Sequence, residues 1–274
     1  MLEQLKYKNH RNEVFEFGKD GIFVDTNDLH DYEWAVTQKN NRVSALERTV
    51  RTYKLPVVII CETEEKGIAA RNKLHEVVEK DVLAMQHGRI IIGDYYFRCF
   101  VTKSQKKDYL RSNRHMFVDL TLTSDFPFWV KETTVPFSIV ETTPGTGSLD
   151  YSFDYPIDYM GNTQSTELNN TGFVGCNFRL IVYGSCVNPA IGIAGHTYQV
   201  NCTVGSNEYL TIDSSTKKIY LTSQTGEVTN KFNDRSRDSY IFEKIPAGNN
   251  VVSWNGNFNF DVILLEERSE PKWT

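Results

Sequence analysis

The chain has 274 residues, 40% of them apolar and 24% charged, with a formal net charge of −5. This is a globular rather than a disordered composition, long enough for two cores at about 100 to 200 residues each. A net negative chain without a clustered cationic excess is a poor match for the phosphate backbone, and no apolar run of about 18 residues is present to span a membrane, so stable nucleic-acid binding and membrane insertion are both set aside.

The opening Met1-Leu-Glu-Gln-Leu-Lys lacks the apolar core of a signal peptide, so export by the ordinary secretory route is not expected. Glu13-Val-Phe-Glu-Phe17, a Gly18/Gly21 turn and Ile22-Phe-Val24 then read as a β-hairpin. Residues 28 to 52 are polar and weakly periodic, which predicts an extended arm or loop. Long irregular connections are uncommon in compact domains and tend to be functional, so this stretch is either a surface loop or a contact between subunits carried by Trp34, Val36, Arg42 and Arg48.

Leu55-Pro-Val-Val-Ile-Ile-Cys61 is a run of a buried strand with its proline near the start. Thr63 offers an N-cap, Glu64 and Glu65 favour the first turn, and Ala70, Leu74, Val77 and Val78 repeat at helical spacing to about Leu83. His75 has no second ligand in register and reads as a solvated side chain. Gly93-Asp94 separates two β runs between Arg89 and Val101 as a two-residue hairpin turn does. The basic run Lys103–Arg111 reads as a solvated loop before the strand Met116–Thr123.

From about Phe173, short β-rich runs alternate with turn signals: Asn177–Tyr183, Thr197–Thr203, Tyr209–Asp213, Lys218–Thr222, Tyr240–Lys244, Asn249–Trp254 and Asn257–Glu266. Regular spacing of this kind predicts an antiparallel sandwich or barrel. The five cysteines show no C-x-x-C spacing and read as reduced thiols rather than a disulfide framework or a zinc site.

No motif for nucleophilic, metal-dependent or phosphate-binding chemistry is present. Gly192-Ile-Ala-Gly195 reads as a turn between strands. Asp150, Asp154 and Asp158, interleaved with aromatics, are the one carboxylate cluster a glycosidase could use, but Pro156 disfavours a helix that would align them. No catalytic residue, metal ligand or cofactor is therefore assigned. Trp254, before the Asn255-Gly256 turn, and Trp273 are candidates for stacking on a sugar ring; the alternative for Trp254 is closure of a strand at the sandwich edge.

Two segments, in their order, carry a resemblance. Leu120-Thr-Leu-Thr-Ser-Asp-Phe-Pro-Phe-Trp129 is a strand followed by an acidic-aromatic-Pro-Phe-Trp run, and Tyr209-Leu-Thr-Ile-Asp213 precedes Phe242-Glu-Lys-Ile-Pro-Ala-Gly248 and a terminal strand ending in Trp273. The chain resembles the distal tail protein family of siphophages and prophages over nearly its whole length. The short, polar, turn-rich Glu141-Thr-Thr-Pro-Gly-Thr-Gly-Ser148 marks a linker between domains, and the resemblance implies a mainly β protein in which residues 1–140 are an N-terminal α+β ring-forming domain and residues 149–274 a C-terminal galectin-like antiparallel β-sandwich.

The resemblance further implies a non-enzymatic baseplate component of the virion tail tip, made in the bacterial host cytoplasm. It would assemble as a homohexamer, as one ring or two stacked rings. Its partners would be the tail tube protein, a tail-associated tail-tip protein and a receptor-binding protein. A lectin-like module that binds host surface glycans is the alternative.

Overall fold

The structure, a computed structural model, describes residues 4–107, 113–139 and 167–273. The chain divides into two compact units, one running to Lys131 and taking in the segment from Glu267, the other spanning Glu132–Glu266. The first contains β1 (Leu5–Lys8), β2 (Val14–Glu16), β3 (Ile22–Val24), β4 (Ala35–Lys39), β5 (Arg42–Glu47), β6 (Arg51–Ile60), α1 (Glu64–Ala84), β7 (Gly88–Ile92), β8 (Tyr95–Lys107) and β9 (His115–Ser124). The strand β10 (Trp129–Phe137) begins in it.

All its strands pair antiparallel. The order β2-β1-β7-β8 continues through the far half of β8 into β9, β6 and β3, so the long β8 changes partner midway. Alternation drives this: along β7 and the first half of β8 every second residue is buried, including Ile90, Ile92, Phe97 and Cys99. The helix starts as expected, with the Thr63 hydroxyl accepting from the Lys66 amide at 3.3 Å, and ends at Met85 in the left-handed region. It buries Gly67, Ala70, Leu74, Val77 and Val78 along one face, together with Asp81.

Asp81 has no solvent exposure. Its carboxylate accepts the Tyr7 hydroxyl at 2.6 Å and the His10 amide at 2.8 Å, and the His10 ring Nδ1 lies 2.5 Å away. Burial pushes the Tyr7 hydroxyl well above its ordinary pKa, and the negative charge around it acts in the same direction. Gly88 is required beside this cluster: a Cβ there would stand 2.2 Å from both Asp81 Oδ2 and the Tyr7 oxygen.

The second unit contains β11 (Glu167–Asn170), β12 (Asn177–Tyr183), β13 (Cys186–Val187), β14 (Ala190–Ile193), β15 (His196–Gln199), β16 (Thr203–Val204), β17 (Tyr209–Asp213), β18 (Lys218–Thr222), β19 (Val228–Asn230), β20 (Gly248–Trp254) and most of β21 (Phe260–Arg268). One antiparallel sheet runs β19-β18-β17-β12-β21 and a second runs β11-β20-β14-β15, with β13 and β16 as a separate pair. Both sheets give residues to one core, among them Phe178, Leu180, Leu210, Ile212 and Val262 from the first and Leu168, Ile191, Ile193, Tyr198 and Val252 from the second. That is a β-sandwich.

Four readings of the sequence need correction. The stretch from Glu13 to Val24 is not a hairpin: β2 pairs with β1 and β3 with β6, because Gly21, at φ +75°, carries the chain across so that its carbonyl accepts from the Ile60 amide at 2.7 Å. The basic run does not begin as a loop, since Lys103–Lys107 extend β8 against β9 with their side chains exposed. Tyr240–Lys244 forms no strand; Ile241 and Phe242 are buried as a plug, and the carbonyls of Ile245 and Pro246 are taken by the Asn170 carboxamide, each at 3.1 Å. Residues 28 to 52 include a paired hairpin rather than only irregular chain.

The expected linker, 141–148, lies outside the described residues. The chain passes from one unit to the other at Lys131/Glu132 in β10 and at Glu266/Glu267 in β21. Phe137 belongs to the sandwich because its ring stacks on Phe260 at 4.8 Å, and the tail belongs to the first unit because Trp273 stacks on His30 at 4.0 Å.

Tyr7→Phe leaves the buried Asp81 carboxylate one donor short, so urea unfolding is expected to show a loss of about 1–3 kcal/mol with an unchanged slope. The thiols give a second check: all five are free, four of them are buried, and burial pushes the half-buried Cys186 up to about 11. A thiol reagent at pH 8 is therefore expected to modify native protein slowly, at Cys186 first, and to find all five thiols only after denaturation.

Candidate functional site: the hairpin arm and its base

β4 and β5 pair only with each other, and almost every residue on both is exposed. Their turn is Asn40-Asn41, with φ of +52° and +58°. Two consecutive left-handed residues match the twist of a two-residue hairpin turn, and asparagine tolerates that region better than any other residue except glycine. A register shift at Thr37/Gln38 and a 3.0 Å bond from the Ser44 hydroxyl to the Thr37 carbonyl complete the local structure.

An isolated two-stranded ribbon is marginal in water, so the arm depends on its base. There the Arg48 guanidinium lies 4.8 Å from the Phe128 ring centroid and 5.5 Å from that of Trp34, and the two rings meet edge-on at 6.2 Å. Burial is the main influence on Arg48 and pulls its pKa below the ordinary value. Neighbouring bonds fix the strands that carry the arm: the Asp28 carboxylate accepts the Lys54 amide at 2.8 Å, and the Trp129 indole donates to the Leu29 carbonyl at 3.2 Å.

Of the four arm residues picked from sequence, the structure brings Trp34 and Arg48 together at the base. Val36 and Arg42 stand apart on the ribbon, exposed. Sequence reasoning missed the residues that complete the surface. Val43 and Leu46 are 59% and 56% exposed, and with Val36 at 52% they make the ribbon a run of uncovered aliphatic side chains. The signal available was Asn-Asn between two short alternating runs.

The tryptophans chosen for sugar stacking fall in different units. Trp254 is half-buried in the sandwich, edge-on to Phe260 at 5.1 Å and to Phe137 at 5.9 Å. Trp273 is 71% exposed with one stacking partner, His30. Asp150, Asp154 and Asp158 lie outside the described residues. Among the described residues no group of three or more His, Cys, Asp or Glu is placed to hold a metal ion, and no helix is long and apolar enough to cross a membrane.

No family model and no curated protein sequence matches the chain. Solved structures do. The phage P2 baseplate in its activated conformation with calcium contains a chain that aligns at a TM-score of 0.66 and 12% identity, covering 99% of this chain and 100% of that one. The SPP1 Dit protein (gp 19.1), a hub of the adsorption apparatus in phages that infect Gram-positive bacteria, aligns at 0.59 and 10% identity, covering 98% and 100%. The chain has the Dit fold.

Arg48→Ala removes the guanidinium that joins Trp34 to Phe128, worth about 1–2 kcal/mol for a desolvated cation–π contact. Amide hydrogen exchange is expected to speed up about tenfold across the arm, with protection in β6, β8 and β9 unchanged.

Proposed function

We propose that the protein is a structural component of a bacteriophage or prophage tail tip, a hexameric ring that joins the tail tube to the baseplate and host-adhesion apparatus. The observation that carries this reading is the fold shared with the phage P2 baseplate chain and SPP1 Dit over 98–99% of the present chain. The uncovered arm supports it independently, since a ring needs each subunit to offer two different patches that close on themselves. Residues 1–140 form the ring in this reading, and residues 149–274 are the outward galectin-like sandwich. The partners are further copies of the chain, the tail tube protein, a tail-associated protein below the ring and a receptor-binding protein at its periphery.

The carbohydrate-binding alternative has less support. Trp254, the candidate within the sandwich, already packs against Phe137 and Phe260.

Light scattering of the purified protein across a concentration series tests the ring. A species of about 189 kDa, six times the 31.5 kDa chain, or its double is expected, and Val36→Asp with Leu46→Asp is expected to return it to single chains without loss of helix signal. Wild-type protein that stays at 31.5 kDa at every concentration, even with the tail tube protein added, would overturn the reading.

A further inference from the structure

Three cations stand in a row across three strands of the first unit. Lys8 on β1 is the register partner of Arg89 on β7, and Arg89 is the register partner of Arg98 on β8. Directly opposed residues of adjacent antiparallel strands project to the same face with Cβ atoms about 4.5–5.5 Å apart, and like charges placed so are destabilising. The row is half-buried. Among the described residues none of the three has a carboxylate within ion-pair distance, and the Nε of Arg98 is buried without a hydrogen-bond partner. Each arginine instead lies over an aromatic ring, Arg89 at 4.5 Å from Tyr96 and Arg98 at 4.3 Å from Phe126, which limits where its guanidinium can go.

The row lies in a concavity. The turn after β1 forms one wall with His10 and Asn12, and the chain between α1 and β7 forms another with Gln86 and His87. The space is about 430 Å³, within the range of about 300–1,000 Å³ usual for small-molecule sites, and no aspartate or glutamate lines it. Of the carboxylates near it, Asp81 is held by Tyr7 and His10, Glu13 by Lys80 and Asn9, and Asp125 lies 2.8 Å from the His87 ring. The walls are held by the buried Asp81 cluster, so the cations are presented on a fixed frame.

We propose that this pocket binds an oxyanion of the phosphate class, free or as a phosphate ester, with Lys8, Arg89 and Arg98 as its charged ligands and the Asn12 and Gln86 carboxamides as further donors. Three cations spread over three strands exceed what one carboxylate neutralises. A tetrahedral dianion takes hydrogen bonds from several directions and suits a row better than a planar group does. The proposal does not depend on ring assembly and is read on single chains.

Calorimetric titration of the full chain with inorganic phosphate, glycerol phosphate and acetate, at matched pH and ionic strength, tests it. Saturable binding of phosphate or glycerol phosphate is expected, with acetate at least tenfold weaker; the tighter of the first two tells the free anion from the ester. Arg89→Gln and Lys8→Gln are each expected to weaken binding about tenfold. Lys6→Gln, two residues from Lys8 on the same strand and already paired with Glu16 at 3.3 Å, is expected to leave it unchanged. Should Arg89→Gln fail to fold, the half-exposed Lys8→Gln decides alone. Absence of saturable binding, equal affinity for acetate, or equal losses in Lys6→Gln and Lys8→Gln would overturn the assignment.

Discussion

A carboxylate without access to water fixes the geometry of the first unit. Moving a charged group into the interior costs several kcal/mol unless donors replace its hydration. Asp81 meets that requirement with the Tyr7 hydroxyl, the His10 amide and the His10 ring. Those donors belong to β1 and the turn after it, so the last turns of α1 can lie only where this turn reaches them. Gly88 then has to pass directly over the pair, which sets the start of β7 and with it the register of Lys8, Arg89 and Arg98. The cationic pocket is thus a consequence of how a buried acid is satisfied.

The hairpin arm follows a different logic. Nothing on its own faces holds it, since β4 and β5 are exposed on both sides, and its order comes from the turn at one end and the base at the other. The base uses an arginine between two aromatic rings in place of an ion pair, which keeps a half-buried cation without placing a second charge there. A ribbon fixed at its root and carrying uncovered valines and a leucine suits a part that finishes its burial against another molecule.

The sandwich shows where alternation is a reliable guide and where it fails. Asn177–Tyr183, Tyr209–Asp213 and Lys218–Thr222 form strands with the bounds read from sequence, because each places alternate apolar side chains on one side of a sheet. Tyr240–Lys244 carries the same residue types but turns inward as a plug, its following carbonyls met by Asn170 rather than by a neighbouring strand. The missed β10 pairs with β8, more than 30 residues earlier, and local pattern carries no information about distant partners; β1 and β14 are only four residues long, too short for alternation to stand out. Among the site residues, Trp34 and Arg48 were legible as unusual in a polar stretch, but their joint contact with Phe128 links positions 80 residues apart and could be found only in three dimensions.

Elements that depend on neighbours a few residues away were legible in the sequence: the helix with its Thr63 cap, the Gly93-Asp94 hairpin, the free thiols in or beside strands and most of the sandwich strands. These follow from backbone propensity and periodic burial, which are local. Tertiary structure alone decided which strands pair, where β8 changes partner, how Asp81 is satisfied and which cations fall into one row. Each of these depends on register, and a shift of one residue moves every side chain of a strand to the opposite face.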